Sequence, residues 1–551
     1  MEVEAMGITL TGLLVFAFVC IVIAVIGWKA GSRVSGWDHH PGGTPLYIRF
    51  IEDKQQLNRM GYPQQLNRRI GALSSFGLSF SSMSVLGGAV ICLGPVLSYA
   101  GPAGFGFGWP IAAFFAVMLC TAKAELASAC PLAGGPYHWA KKLAGSWAGN
   151  VTGWLLLGGQ MTLVVVANGA AALLIANLVP AIAGSSWRLA CMLAIAVLLT
   201  VLQVVCHIGS STAVSRLPAA GIWIQTAAVL TVVTLVVWLG DIDRIDAGRL
   251  FQAAENGEGI SLHGGAAALL LLMRMFLGAD TAAYAAEETT DPGRQVPWSM
   301  FLSVSYQYIF GFVCFIFCML ALMHPVLGMA GYADLMAVAA TIGSFSGLGT
   351  ALQSVVAVAA LYGLWVCGSN GIFASSRLLF AMARDRAAPA ASRISEVSSR
   401  FHAPVKAILI SGSVIIALML AVMLSDGGFG LQTIMMITAC TTGLSYSAYG
   451  LLMLLHLLRF AGRSESSSFH MGKWSRPIAA AALLWCGTAL AVSCWIGGMS
   501  VVYMLFICLA GATAAALGAG RKSGRGVHRA SRSVPERSRL LAEERNYIYF
   551  S

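Results

Sequence analysis

What most constrains this chain is the recurrence of apolar runs of about 20 residues, each long enough at about 1.5 Å per residue to cross a hydrocarbon core about 30 Å thick. One lies at 7–28. Twelve more lie near 74–98, 106–127, 147–179, 187–207, 217–240, 265–286, 299–323, 350–381, 405–424, 429–458, 478–496 and 499–519. They run evenly from end to end and leave no room for separate soluble domains. Hydrophobic residues make up 58% of the 551 residues and charged ones 10%, and the mean hydropathy is +0.76. A soluble domain of this size needs far more polar surface. The pattern predicts an all-α polytopic membrane protein with twelve core helices and one extra N-terminal helix. Several runs exceed the bilayer thickness, so tilt, or ends reaching into water, is expected.

The net charge of +11 raises the question of a nucleic-acid partner, and the placement of the basic residues answers it. Lys29, Arg33, Arg49, Lys54, Arg59, Arg68 and Arg69 precede the first core run; Arg384, Arg386, Arg393, Arg400 and Lys406 follow the eighth. Arg459, Arg463, Lys473 and Arg476 precede the eleventh, and the tail from Arg521 is densely basic. With twelve alternating spans all of these fall on one side. The other side carries Arg188, Arg244 and Arg249 beside acidic Asp241, Asp243, Asp246, Glu255 and Glu258. The positive-inside rule then makes 29–70 and the C-terminus cytoplasmic. The charge reports topology, and no nucleic acid is expected. The first run follows the acidic MEVEAMG, whereas a secretory signal carries positive charge there; segment 1–28 is therefore read as a retained helix. The thirteen cysteines are scattered through apolar runs with no CxxC pair, and read as small packing residues rather than a disulfide frame or metal site.

Charge inside a span is costly and usually has a job. The stretch LLLLMRMFLGADTAAYAAEETTD (269–291) carries Arg274, then Gly278-Ala279-Asp280, then Glu287-Glu288. On an intact helix Arg274 and Asp280 would lie about 240° apart around the axis. A break at Gly278 removes that constraint, and broken backbone at membrane depth survives where it lines a cavity or is buried in protein. The first core run, SFGLSFSSMSVLGGAVICLG (75–94), has clustered serines and Gly87-Gly88 in mid-span. If residues 74–240 and 265–458 are two five-helix repeats, these interrupted spans occupy matching positions, which points to a solute site at mid-membrane. N–H groups around Ser84, Val85, Leu86, Gly87 and Gly88 would hold a carboxylate, with Ser81 nearby. Carbonyls from Phe276 through Gly278 to Ala279 would hold an ammonium.

AELASACPLAGGPYHWAKKL (124–143) resembles the signature of the amino acid permeases of the amino acid/polyamine/organocation superfamily, through Glu125, Pro131, Gly134, Gly135, Tyr137 and Trp139. GWLLLGGQ (153–160) is similar to its third-helix pattern, and FLGADTAAYAAEETTDPGRQVP to its broken sixth helix. ASSRLLFAMARDRAAP (374–389) and MGKWSRP (471–477) resemble the amino acid/choline transporter subfamily. The resemblance covers roughly residues 55 to 510. It implies a LeuT-like 5+5 inverted-repeat bundle within 71–519, followed by a basic cytoplasmic tail at 520–551. It also implies a secondary transporter for amino acids, GABA, choline or related amines. Ala279 departs from the usual aromatic of the sixth helix, where Phe276 is the substitute. Arg274 is unusual there too: it reads a substrate carboxylate, pairs with Asp280, or snorkels outward.

Other positions have two readings each. Glu125 couples protons or ties down the loop that follows. Gln160 contacts substrate or hydrogen-bonds a neighbouring helix. Ser375 and Ser376 sit where related transporters hold sodium, or bond back to their own helix. No cofactor or resident metal is expected beyond a driving proton or sodium gradient, and the partners are a small amine-bearing solute and the bilayer. The chain carries no HExxH or GxSxG, which argues against an enzyme. The rival readings are a nutrient sensor of the same fold and a polyamine or organic-cation carrier. The plasma membrane is the expected location. An acidic-dileucine spacing at Glu536, Leu540 and Leu541, and a tyrosine spacing at Tyr547 to Phe550, leave an endosomal or vacuolar membrane open.

Overall fold

The computed structural model describes residues 2–34, 46–209, 211–239, 251, 260–322, 349–398, 400–425, 430–459 and 468–523. The acidic residues between 241 and 258 and the sorting patterns of the tail lie outside them. Apart from one bridge between Ile70 and Thr289, the described residues form helices and their connections.

A helix covers each expected run. The N-terminal helix is Glu2–Val34, and Leu46–Arg59 lies between it and the core. The first span is two helices, Ala72–Met83 and Val85–Ala100; the second is Trp109–Ala129, the third Ser146–Leu178, the fourth Arg188–Gly209 and the fifth Ser211–Leu239. The sixth is Leu262–Arg274 followed by the single turn Thr281–Tyr284. The seventh is Pro292–Leu322, the eighth Gly349–Arg384, the ninth Val405–Ser425, the tenth Leu431–Arg459, the eleventh Ser475–Gly497 and the twelfth Met499–Ser523.

Among the described residues, ten helices are long and apolar enough to cross a membrane. The apolar stretch of the N-terminal helix, Leu14–Ala30, and that of the sixth span, Leu262–Arg274, are shorter. The sixth falls short because its helix stops at Arg274. The tenth has the length, but its serines, threonines and tyrosines dilute its hydropathy.

The pairing of spans gives the architecture. The second packs on the seventh, the third on the eighth, the fourth on the ninth, and the halves of the first against those of the sixth. Each of the first four spans thus meets the one five places on, as expected of a two-fold relation between two five-span units. Burial grades outward from this centre. In the apolar window of the first span 89% of residues are buried, against 17% in the twelfth, whose outer face is left to lipid. Lipid tails are as apolar as leucine, so close approach of small residues drives the packing. A Cβ at Gly77 would lie 2.8 Å from the Pro218 carbonyl oxygen, so the first span touches the fifth backbone to backbone. The N-terminal helix lies on the second and seventh spans, where Phe16 stacks on Phe312 at 4.2 Å.

Candidate functional site

The first span breaks at Ser84, whose backbone is left-handed at φ +48°. Its N–H still bonds Phe80 O at 3.1 Å, which ends the first half-helix. Its hydroxyl accepts the Gly87 N–H at 3.1 Å and donates to Gln225 Oε1 at 3.1 Å, which starts the second half and ties it to the fifth span. Gly88 N–H bonds Ser84 O at 2.8 Å. Of the five N–H groups expected to face an anion, those of Ser84, Gly87 and Gly88 are therefore spent at the break. Val85 and Leu86 keep the N–H groups that a helix start cannot satisfy internally.

The sixth span stops at Arg274. Residues 275–280 continue as turns, with Leu277 N–H on Arg274 O at 2.9 Å and Thr281 N–H on Gly278 O at 3.0 Å. Gly278 sits at φ +96°, and a Cβ there would fall 2.7 Å from Ser82 Cβ. Only glycine meets both demands without strain. The two breaks consequently abut. A Cβ at Gly88 would strike the Met275 sulfur at 2.1 Å, so the second half of the first span also rests on the start of the sixth-span break. Among the described residues no hydrogen bond ends on the carbonyls of Phe276, Leu277 or Ala279, while Gly278 O is taken by both the amide and the hydroxyl of Thr281. Phe276 packs on Trp109 with centroids 4.8 Å apart.

Asp280 and Arg274 do not pair, and Arg274 does not snorkel. Asp280 is fully buried, 3.4 Å from the ammonium of Lys123 on the second span, and the Tyr449 hydroxyl of the tenth donates to it at 2.8 Å. Lys123 also lies 3.8 Å over the Tyr449 ring. Arg274 is 4% exposed, and its Nε and Nη2 have no hydrogen-bond partner among the described residues. Around it the Cys92 thiol contacts Leu271 O of the same half-helix at 3.6 Å, and the Cys367 thiol contacts Ser82 O near the first break at 2.9 Å. Sequence reasoning missed Lys123 and Tyr449. The signal for Lys123 was present, since a lysine in the run MLCTAKAEL is as anomalous as an arginine in the sixth span.

Other expected residues have definite partners. The Ser81 hydroxyl donates to Pro218 O at 2.9 Å, which anchors the first span to the fifth. Gln160 is buried, with its Oε1 unbonded among the described residues. Ser375 and Ser376 donate to Ile372 O and Phe373 O of their own helix at 3.1 and 2.9 Å, and Arg377 Nη1 lies 3.3 Å from the Ser376 hydroxyl. A guanidinium in that place repels a sodium ion. Glu125 gathers His470 at 2.7 Å, the Met471 N–H at 3.2 Å and the Ser475 hydroxyl at 2.5 Å, and so holds the start of the eleventh span.

The same end of the bundle, where the basic loops lie, carries a dense lock. Glu287 takes both terminal nitrogens of Arg384, at 2.7 and 2.9 Å, and Glu288 takes Arg377 at 2.9 Å. Burial alone would raise the Glu287 carboxyl, but Arg384 outweighs it and holds it below the usual range. Asp385 accepts from Tyr62 and Tyr137, each at 3.0 Å, and pairs with Lys141 at 2.7 Å. Burial acts to raise Asp385 as well, yet His138 and Lys141 hold it well below the carboxylate range. His138 is itself pushed down by burial, so near neutral pH the standing charges near Asp385 are those of Lys141 and Arg384. Residues 62–70 are stitched to the end of the sixth span: Gln64 Nε2 donates to Glu287 O, Arg68 to Thr289 O, and the Ile70 N–H to Glu288 O, at 3.1, 2.6 and 3.0 Å.

A polytopic helical bundle with two spans broken side by side is a carrier architecture. The amino acid permease family profile matches residues 70–516, and the chain belongs to that family. An amino-acid permease BAT1 homolog from Oryza sativa subsp. japonica is 27% identical, across 79% of this chain and 86% of its own length. The amino-acid permease BAT1 of Arabidopsis thaliana is 26% identical, across 81% and 89%. A GABA-specific permease of Saccharomyces cerevisiae is 25% identical, across 67% and 66%.

Proposed function

We propose that this permease carries amino acids, GABA among them, by alternating access around the paired breaks of the first and sixth spans. The observation behind the reading is the contact of the two breaks, with Gly278 against Ser82. It sets the unsatisfied N–H groups of Val85 and Leu86 and the free carbonyls of Phe276, Leu277 and Ala279 in neighbouring turns of one buried region. Half-helix ends so placed complement a zwitterion: N–H groups face the carboxylate, and carbonyls face the ammonium. Movement of one unit against the other then exposes the site to each side in turn, powered by a proton or a sodium gradient. The basic end faces the cytoplasm, and the plasma membrane is the location this reading assigns.

The test is uptake of labelled amino acids and GABA by purified protein in liposomes, with imposed proton or sodium gradients. Saturable flux is expected, and Gly278→Ala, which is strained at φ +96° and crowded by Ser82, should reduce it at least tenfold. Saturable binding with no flux in any gradient would instead make the protein a sensor.

A further inference from the structure

We infer that Arg274 is an anion subsite that reads the carboxylate of the cargo, so that the permease selects carboxylate-bearing solutes and rejects choline, polyamines and decarboxylated amines. The inference rests on the paired breaks being the solute site. It follows from a count of buried charge. Among the described residues, Asp53, Lys123, Glu125, Asp280, Glu287 and Arg377 are buried, and each has an ionic or hydrogen-bonding partner within the protein. Arg274 is equally buried and has none; its Nε and Nη2 are bare.

A guanidinium at membrane depth without a counter-ion is costly, and such groups mark ion or solute pathways. Its position fits that role. Arg274 is the last helical residue before the sixth-span break, and Met275, the next residue, packs on Gly88 of the first span, where a Cβ would lie 2.1 Å from its sulfur. The planar fork of arginine matches a carboxylate in two parallel bonds.

Asp280, the obvious acceptor for a cargo ammonium, is already neutralised by Lys123 and bonded by Tyr449. Among the described residues the site therefore holds one uncompensated positive charge and no free negative one. A zwitterion supplies its carboxylate to Arg274 while its ammonium meets neutral carbonyls. Choline or a polyamine would add like charge beside Arg274.

Two readouts test this. In liposomes, uptake of a transported amino acid should be competed by other free amino acids, and at least tenfold less well by its methyl ester, its decarboxylated amine or choline. Arg274→Met and Arg274→Gln should lose about 30-fold or more in apparent affinity for the carboxylate-bearing solute. In detergent without solute, Arg274→Met should shift the apparent melting temperature upward, because an unpaired buried charge is removed. The same variant should lose the stabilisation that an amino acid gives the unsubstituted protein. A downward shift would reveal a structural partner for Arg274 and overturn the inference. Equal competition by the methyl ester, or a requirement for chloride in place of the cargo's own carboxylate, would also overturn it. Absence of any saturable flux would defeat the transport reading instead, and the melting measurement would still decide the role of Arg274.

Discussion

At the basic end of the bundle Glu287 is gripped by both terminal nitrogens of Arg384, and Asp385 collects two phenols and Lys141. Ten residues before Glu287 in the same broken span, the helix has ended and Arg274 stands buried with two bare nitrogens just upstream. Both regions are charged, and Glu287 in one is as buried as Arg274 in the other. One has spent its charge on itself, and the other has kept a charge in hand. Partnered charge fixes one conformation, because separating the partners strands both in low dielectric. Unpartnered charge leaves the protein short of a contact that only something from outside can supply. The contrast separates an end whose charges hold its own helices together from a centre where one buried charge is left over.

The largest expected effect comes from breaking the lock. Arg384→Gln leaves Glu287 buried without its counter-ion and should cost about 3–5 kcal/mol, read as a lower unfolding midpoint in detergent. The sign of its pH dependence follows from the depressed carboxyls of Glu287 and Asp385. Their contribution is complete above the unfolded carboxylate range of about 4 and is lost as pH falls through the lower folded values. The midpoint should then be flat between about pH 7 and 8, begin to fall below about 6.5 as the depressed His138 is forced to charge, and fall further below about pH 4, where Asp385→Asn should blunt the loss. A slope through neutral pH would place the controlling charge elsewhere.

A smaller effect is expected at the pair beside the break. Asp280→Asn leaves Lys123 over the Tyr449 ring without its counter-ion, so a cost of about 2–3 kcal/mol is expected together with loss of transport. Adding Lys123→Gln restores neutrality and should recover most of the stability. If the double variant is no more stable than Asp280→Asn alone, the two charges are not coupled. The smallest effect belongs to Ser375→Ala and Ser376→Ala. Their hydroxyls bond their own helix, so each should cost about 1 kcal/mol or less and leave any sodium dependence of uptake unchanged. A selective loss of sodium response would restore a cation to that place.

The breaks themselves were legible. Gly278 announced itself as a glycine between an arginine and an aspartate in an apolar run, and Gly87-Gly88 marked the matching position in the first span. The turning residue there is nevertheless Ser84, three positions earlier, and the glycines serve close approach instead: a Cβ at Gly87 would meet Leu364 N at 3.0 Å. Asp280 was identified, but its partner was not, because Lys123 is 157 positions away and nothing local couples them. Ser81 looked like a site hydroxyl by its neighbours, yet it bonds a carbonyl of the fifth span. The segment before the first span read only as a basic cytoplasmic stretch, whereas residues 62–70 form part of the lock on the sixth.

The sequence by itself determined where the chain crosses the membrane and where two crossings fail to remain helical. Those properties depend on hydropathy and backbone preference, which are local and add up residue by residue along a run. Only the tertiary structure decided which buried charges neutralise one another. That depends on which spans touch, and here the second span meets the sixth across a long stretch of chain. Arg274, Asp280 and Lys123 are alike in sequence as charges in apolar runs; packing joins two of them and, among the described residues, leaves the third unpaired beside the break.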